Sequence, residues 1–170
     1  MLDNQNGIVQ AKDVALSATR LVNQGADARI YGETRIAFNV PAIVNLSGLI
    51  RFADGQAATL SVDSLDNRKG RIEIAGGSLK LNARALQNDD GKIIAGHLDI
   101  EARQVDNAGG LIAASQSDAK VVAHERLNNG TGEIQAKTDL DVSGAELLNQ
   151  GGTLAADSIR ITGTRLDNSG

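Results

Sequence analysis

The sequence predicts an all-β fold, a parallel β-helix of about eight coils with roughly 20 residues in each. Three observations point to it. An apolar-x-Asn triplet recurs nine times along 170 residues, the segments between triplets carry apolar residues at a spacing of two, and only three aromatic side chains (Tyr31, Phe38, Phe52) are present to build a core. Such a core is narrow and aliphatic, because wide cores draw much of their buried area from aromatics.

The triplets open at Leu2, Leu21, Ile43, Leu65, Leu86, Val105, Leu127, Leu147 and Leu166, at intervals of 19 to 22 residues. That period suits a solenoid and is too short for paired-helix repeats. The third position is Asn every time: Asn4, Asn23, Asn45, Asn67, Asn88, Asn107, Asn129, Asn149 and Asn168, nine of the 13 asparagines in the chain. The sixth is Gly in seven of eight full units (Gly7, Gly48, Gly70, Gly91, Gly110, Gly132, Gly152), with Ala26 the exception. Asn tolerates the left-handed backbone of a sharp corner, and stacked amides hydrogen-bond to one another, so the Asn column reads as structural. The Gly column is expected to supply a second positive-φ residue.

After each corner the eighth position is apolar (Val9, Ala28, Ile50, Ile72, Ile93, Ile112, Ile134, Leu154), and so is the tenth (Ala11, Ile30, Phe52, Ile74, Ala95, Ala114, Ala136, Ala156). Spacing by two marks a strand with one face inward. A second alternating stretch follows, as in Leu79-x-Leu81-x-Ala83 and Leu98-x-Ile100-x-Ala102, and the residue opening the next unit is a third inward point. A helix is excluded by the period of two and by recurrent Gly and β-branched residues. One unit cannot bury its own inward face, so the coils stack, at about 4.8 Å each, into a rod of about 40 Å. Lys80, Asp99, Lys120, Asp141 and Arg160 occupy one outward position in five successive coils with alternating sign. Opposite charges on neighbouring strands attract, and alternation penalises a slip of one coil, so this ladder reads as a register device rather than a ligand-binding stripe.

Composition narrows function. With no Cys there is neither a disulfide framework nor a thiolate metal site, and a net charge of −4 gives no basic excess for nucleic acid or an anionic membrane. No apolar run is long enough for a membrane-spanning helix.

Units such as "LDNRKGRIEIAGGSLKLNARA" (65–85) and "LLNQGGTLAADSIRITGTR" (147–165) resemble the haemagglutinin repeats of filamentous haemagglutinin and other two-partner-secreted exoproteins, a family that includes contact-dependent growth-inhibition effectors. The resemblance covers residues 2–170 and weakens between 26 and 60. It implies a right-handed β-helix, a single shaft segment taken from within a larger protein, secreted to the bacterial cell surface through an outer-membrane transporter partner. The function it implies is adhesion to host cells through receptors or glycans, with no enzymatic activity, no cofactor and no metal. Within the same family, the alternative is the shaft of a contact-dependent toxin-delivery exoprotein.

The alternative function from a different class is a carbohydrate-active β-helix enzyme, since parallel β-helices also include such enzymes, which need clustered carboxylates. Here the acidic residues are dispersed. Asp89-Asp90 lies in a corner where Asp is an ordinary turn residue, and the two histidines, His97 and His124, flank inward residues and are expected to point outward. The stretch 26–60 departs most from the repeat. It holds all three aromatics, the single Pro41, and the basic residues Arg29, Arg35 and Arg51, which with Tyr31 are the candidates for contact with an acidic glycan. A repacked coil, with Phe38 and Phe52 filling space left by Ala28, is the competing reading of that stretch.

Overall fold

A computed structural model describes residues 1–170. It contains no helix and fifteen strands, all hydrogen-bonded into one parallel network. In chain order these are β1 (Leu2–Asp3), β2 (Ile8–Ser17), β3 (Leu21–Val22), β4 (Arg29–Asn39), β5 (Ala42–Val44), β6 (Leu49–Phe52), β7 (Ala57–Asp66), β8 (Arg71–Gln87), β9 (Lys92–Asp106), β10 (Leu111–Ala114), β11 (Ala119–Asn128), β12 (Glu133–Ala136), β13 (Asp139–Leu148), β14 (Thr153–Ala155) and β15 (Ser158–Asp167). Each pairs with the strand one coil away, which makes the chain a β-helix.

Three inward columns follow. The residues that open the triplets align one above the next from Leu2↔Leu21 through to Leu147↔Leu166 and form the first face. The second face stacks Val9, Ile30, Ile50, Ile72, Ile93, Ile112, Ile134 and Leu154. On the third, Ala58, Leu79, Leu98, Ala119, Leu140 and Ile159 align, with Leu60, Leu81, Ile100, Val121, Val142 and Ile161 two residues further on. The resulting core is a continuous aliphatic cluster in which Phe52 is the only buried aromatic. At the C-terminal coil the columns run out of neighbours, and Ile159, Ile161 and Leu166 are exposed.

Two expectations are corrected. The second-face residue of the second coil is Ile30, not Ala28, because Ile30 pairs with both Val9 and Ile50. The turn after Asn23 is two residues longer than the others, so Ala28 rather than Ala26 occupies the Gly column. There its N–H donates to the Gly25 carbonyl, and its own carbonyl accepts from the Leu49 N–H. No space is left by Ala28 for aromatics to fill; Gly32 takes the tenth position, and the Ile36 side chain lies where a Cβ on Gly32 would stand.

The second correction concerns the corner. Neither the Asn column nor the Gly column supplies the positive φ. That role falls to the residue between them: Asn6, Ser47, Lys69, Asp90, Gly109, Thr131 and Gly151 have φ from 53 to 64°. Gly is needed at the next position for a different reason. A Cβ at Gly70 or Gly110 would meet the backbone oxygen of the preceding coil's Asn. The column is set by close packing between coils.

Thr131 is the least suited occupant of the left-handed corner, since a β-branched side chain crowds that conformation (φ 56°). Thr131→Asn is expected to stabilise the protein by about 1 kcal/mol. Denaturant midpoints check this, and an unchanged or lower midpoint contradicts it.

Candidate functional site

The most repetitive element is also the least accessible. From Asn4 to Asn149 the column is buried, and each Nδ2 donates to Oδ1 of the next coil's Asn at 2.6–2.7 Å, ending on Asn168. From Asn4 to Asn129 the same nitrogens approach a backbone carbonyl of the next coil, such as Asn88 Nδ2 to Leu111 O at 3.2 Å, and most of the column also approaches its own coil's Gly carbonyl. Asn23 lacks the latter contact, in step with its longer turn. These amides satisfy corner groups that would otherwise be buried without partners, and no ligand reaches them.

The charge-ladder residues do stand side by side: Lys80↔Asp99↔Lys120↔Asp141↔Arg160 is one unbroken register column. Only Lys80 and Asp99 close to an ion pair, at 3.5 Å with the lysine side chain half exposed. An exposed pair of this kind contributes little stability.

A second set of polar side-chain pairs has no counterpart among the sequence-based expectations. Asp63 and Arg84 (3.4 Å), Glu101 and His124 (2.9 Å), and Arg103 and Glu125 (2.5 Å) pair between adjacent coils along the edge where the third face turns toward the first. Pro41, Arg84, Arg103 and His124 help line an open groove of about 620 Å³ there. The signal lies in outward residues one coil apart, but the coil bulges between Ala123 and Arg126, which breaks simple column counting.

His97 Nδ1 lies 2.9 Å from Asp118 Oδ1, and Ser117 Oγ sits beside the same carboxylate oxygen at 2.5 Å. The hydroxyl therefore donates to Asp118, whose pKa is lowered chiefly by that bond, and not to the imidazole that would have to activate it. No three His, Asp or Glu side chains come close enough to share a metal ion. Asp89 is pushed above the ordinary carboxylate range, first by burial and then by the Asp106 carboxylate. An acid with a raised folded-state pKa costs stability as pH rises above about 4 and keeps that cost at neutrality. Asp89→Asn removes the charge, so Tm should rise by about 1–2 °C at pH 7. At pH 3, where the Asp89 carboxyl with its raised pKa is largely protonated, Tm should not change; an equal gain at both pH values would rule out the electrostatic cause.

In the irregular stretch, Arg29, Tyr31 and Arg51 come together on the second face. With Ile8, Gln10 and Leu49 they line a shallow depression of about 330 Å³. The Arg51 guanidinium lies 5.8 Å from the Tyr31 ring centroid and pairs with Asp54 at 3.3 Å. Arg35 is not part of this group. It lies on the third face, beside Asp13 in register, and lines a separate cleft of about 490 Å³.

The haemagglutinin repeat profile matches residues 1–37, 51–129 and 93–170. The chain belongs to the haemagglutinin repeat family. Its members are structural, adhesin-type repeats, typically from secreted surface proteins, and membership makes this β-helix an adhesin-like shaft segment. Residues 38–50, outside the three matches, fall within the stretch 26–60 that departs most from the repeat pattern. No match was found among curated protein sequences or among solved structures.

Proposed function

We propose that this haemagglutinin repeat segment is a length of shaft in a secreted bacterial surface adhesin that attaches to host cells. The observation that carries the reading is the stack itself: eight coils tied by one uninterrupted Asn column, in a chain of the haemagglutinin repeat family. The shaft supplies length and stiffness, and its outer columns present repeated polar surface to receptors or glycans. Passage through an outer-membrane transporter partner belongs to the same proposal, and the absence of cysteine suits export of an unfolded chain. The Arg29–Tyr31–Arg51 depression is the surface offered to an acidic glycan.

Beads coated with the 170-residue protein should adhere to host-cell monolayers above beads coated with albumin. The R29A/R51A variant should lose at least half of that excess if the depression is the contact. Adhesion equal to the albumin control would restrict this segment to spacing.

A further inference from the structure

The third face is not continuous. The strand segment 35–39 of β4 pairs on one side with β2, and the segment 57–62 of β7 pairs on one side with β8, but the two do not pair with each other. They stand more than 8 Å apart in Cα positions over nearly all their length, against about 4.8 Å for paired strands. The separation is confined to this face. On the second face Arg29, Ile30 and Tyr31 pair with Leu49, Ile50 and Arg51, and at the other end Asp63 N–H donates to Pro41 O at 2.7 Å. Two parallel edges thus face each other across a slot closed at both ends.

The slot is the cleft of about 490 Å³ noted above. Its floor is Phe52, buried in the core, whose ring meets Phe38 edge-on at 6.1 Å. Ile36 and Phe38 are only half buried, whereas Leu79, Leu81, Leu98 and Ile100 in intact coils are at most 1% exposed. Backbone donors and acceptors on both walls lack the strand partner that every other interior coil has.

We infer that this slot binds one extended polypeptide strand of a partner protein, which pairs with β4 on one side and β7 on the other. Two walls of backbone groups recur at strand spacing and select an extended main chain. A helix, about 10 Å across and internally hydrogen-bonded, would leave both edges unpaired. The fit is a parallel segment of about five residues, the length of the 35–39 edge, with apolar side chains at alternate positions toward Ile36, Phe38 and Phe52. Arg35 lines the slot and has no carboxylate within ion-pair distance, so an acidic residue beside it is favoured. Unpaired edges of this kind are normally blocked or filled.

The test uses the whole 170-residue protein and an acetylated, amidated peptide Gln-Asp-Ala-Thr-Leu-Ser-Val-Asp, patterned on residues 56–63 with Asp in the second place. Saturable binding with Kd below about 1 mM is expected, with amide exchange slowed at least tenfold within 34–39 and 57–62 and unchanged within 119–123. Backbone N-methylation of alternate peptide residues should abolish binding, and Arg35→Glu should weaken it about fivefold. Amides of both edges already protected in the free protein, undiminished binding of the N-methylated peptide, or no binding of either peptide would overturn the inference. Self-association of the protein that protects the same amides without peptide would overturn the partner assignment in favour of a second copy.

Discussion

Asn88→Asp should destabilise the shaft by about 4 kcal/mol at pH 7, with Tm falling by about 10 °C. Asn88 is fully buried. Its Oδ1 accepts from Asn67 Nδ2 at 2.7 Å, while its Nδ2 points to Asn107 Oδ1 at 2.7 Å, Leu111 O at 3.2 Å and Gly91 O at 3.3 Å. A carboxylate keeps the first contact and turns the other three into oxygen facing oxygen, with a buried charge in addition. Asn88→Ala leaves the same partners unsatisfied without the charge and should cost less, about 2–3 kcal/mol. The sign of the pH dependence follows. The buried carboxyl has a raised folded-state pKa, so the penalty of the Asp variant is full at neutral pH and shrinks as pH falls through that value, where a protonated oxygen again donates to Asn107. Thermal denaturation of both variants at pH 7 and pH 4 checks this; equal losses at both pH values would contradict the assignment of the amide as an obligatory donor.

Gly110→Ala should cost about 2–3 kcal/mol, and Gly151→Ala only about 1 kcal/mol. The ordering is informative because conformational freedom alone predicts the reverse. Gly151 has φ 61°, yet a Cβ there meets nothing nearer than Thr131 Cγ2 at 3.8 Å. Gly110 has no positive φ, but its Cβ would strike the Asn88 carbonyl oxygen and lie 2.7 Å from Asn107 Oδ1. Neither obstacle is the end of a flexible chain, since one is backbone and the other is a member of the buried amide column. Denaturant midpoints of the two variants decide between close packing and backbone conformation as the origin of the Gly column.

The architecture is readable because each coil repeats the same demands. Apolar residues two apart mark the strands, and the nine Asn residues mark the corners, so the columns through Ile72, Ile93, Ile112 and Ile134 need only counting. Counting fails where length changes. The two residues inserted between Asn23 and Ile30 shift the column by two, which preserves the inward parity and hides the insertion from a period-two pattern. The positive-φ position escapes sequence reading because its occupants (Asn6, Ser47, Lys69, Asp90, Thr131) share a conformation and not a chemistry. Arg29, Tyr31 and Arg51 are neighbours in the fold, which their sequence positions alone do not reveal, and Arg35 is separated from them by the bend from second to third face. The slot leaves no mark in composition, since an absent pairing is a property of two strands in successive coils and not of either one.

The winding of the coils has a mechanical consequence. The ladder bonds and the Asn amides lie along the long axis, while the chain runs around it, so a pull on the two ends loads the outermost coil alone and peels it from the stack. Each coil contributes about 4.8 Å to the folded length and, once released, about 70 Å of extended chain. Tension would therefore be met by stepwise lengthening at a nearly constant force, one coil at a time, with the remaining stack intact as a template for rewinding when the force drops. A shaft of this design behaves as an extensible tether under load and as a stiff spacer at rest.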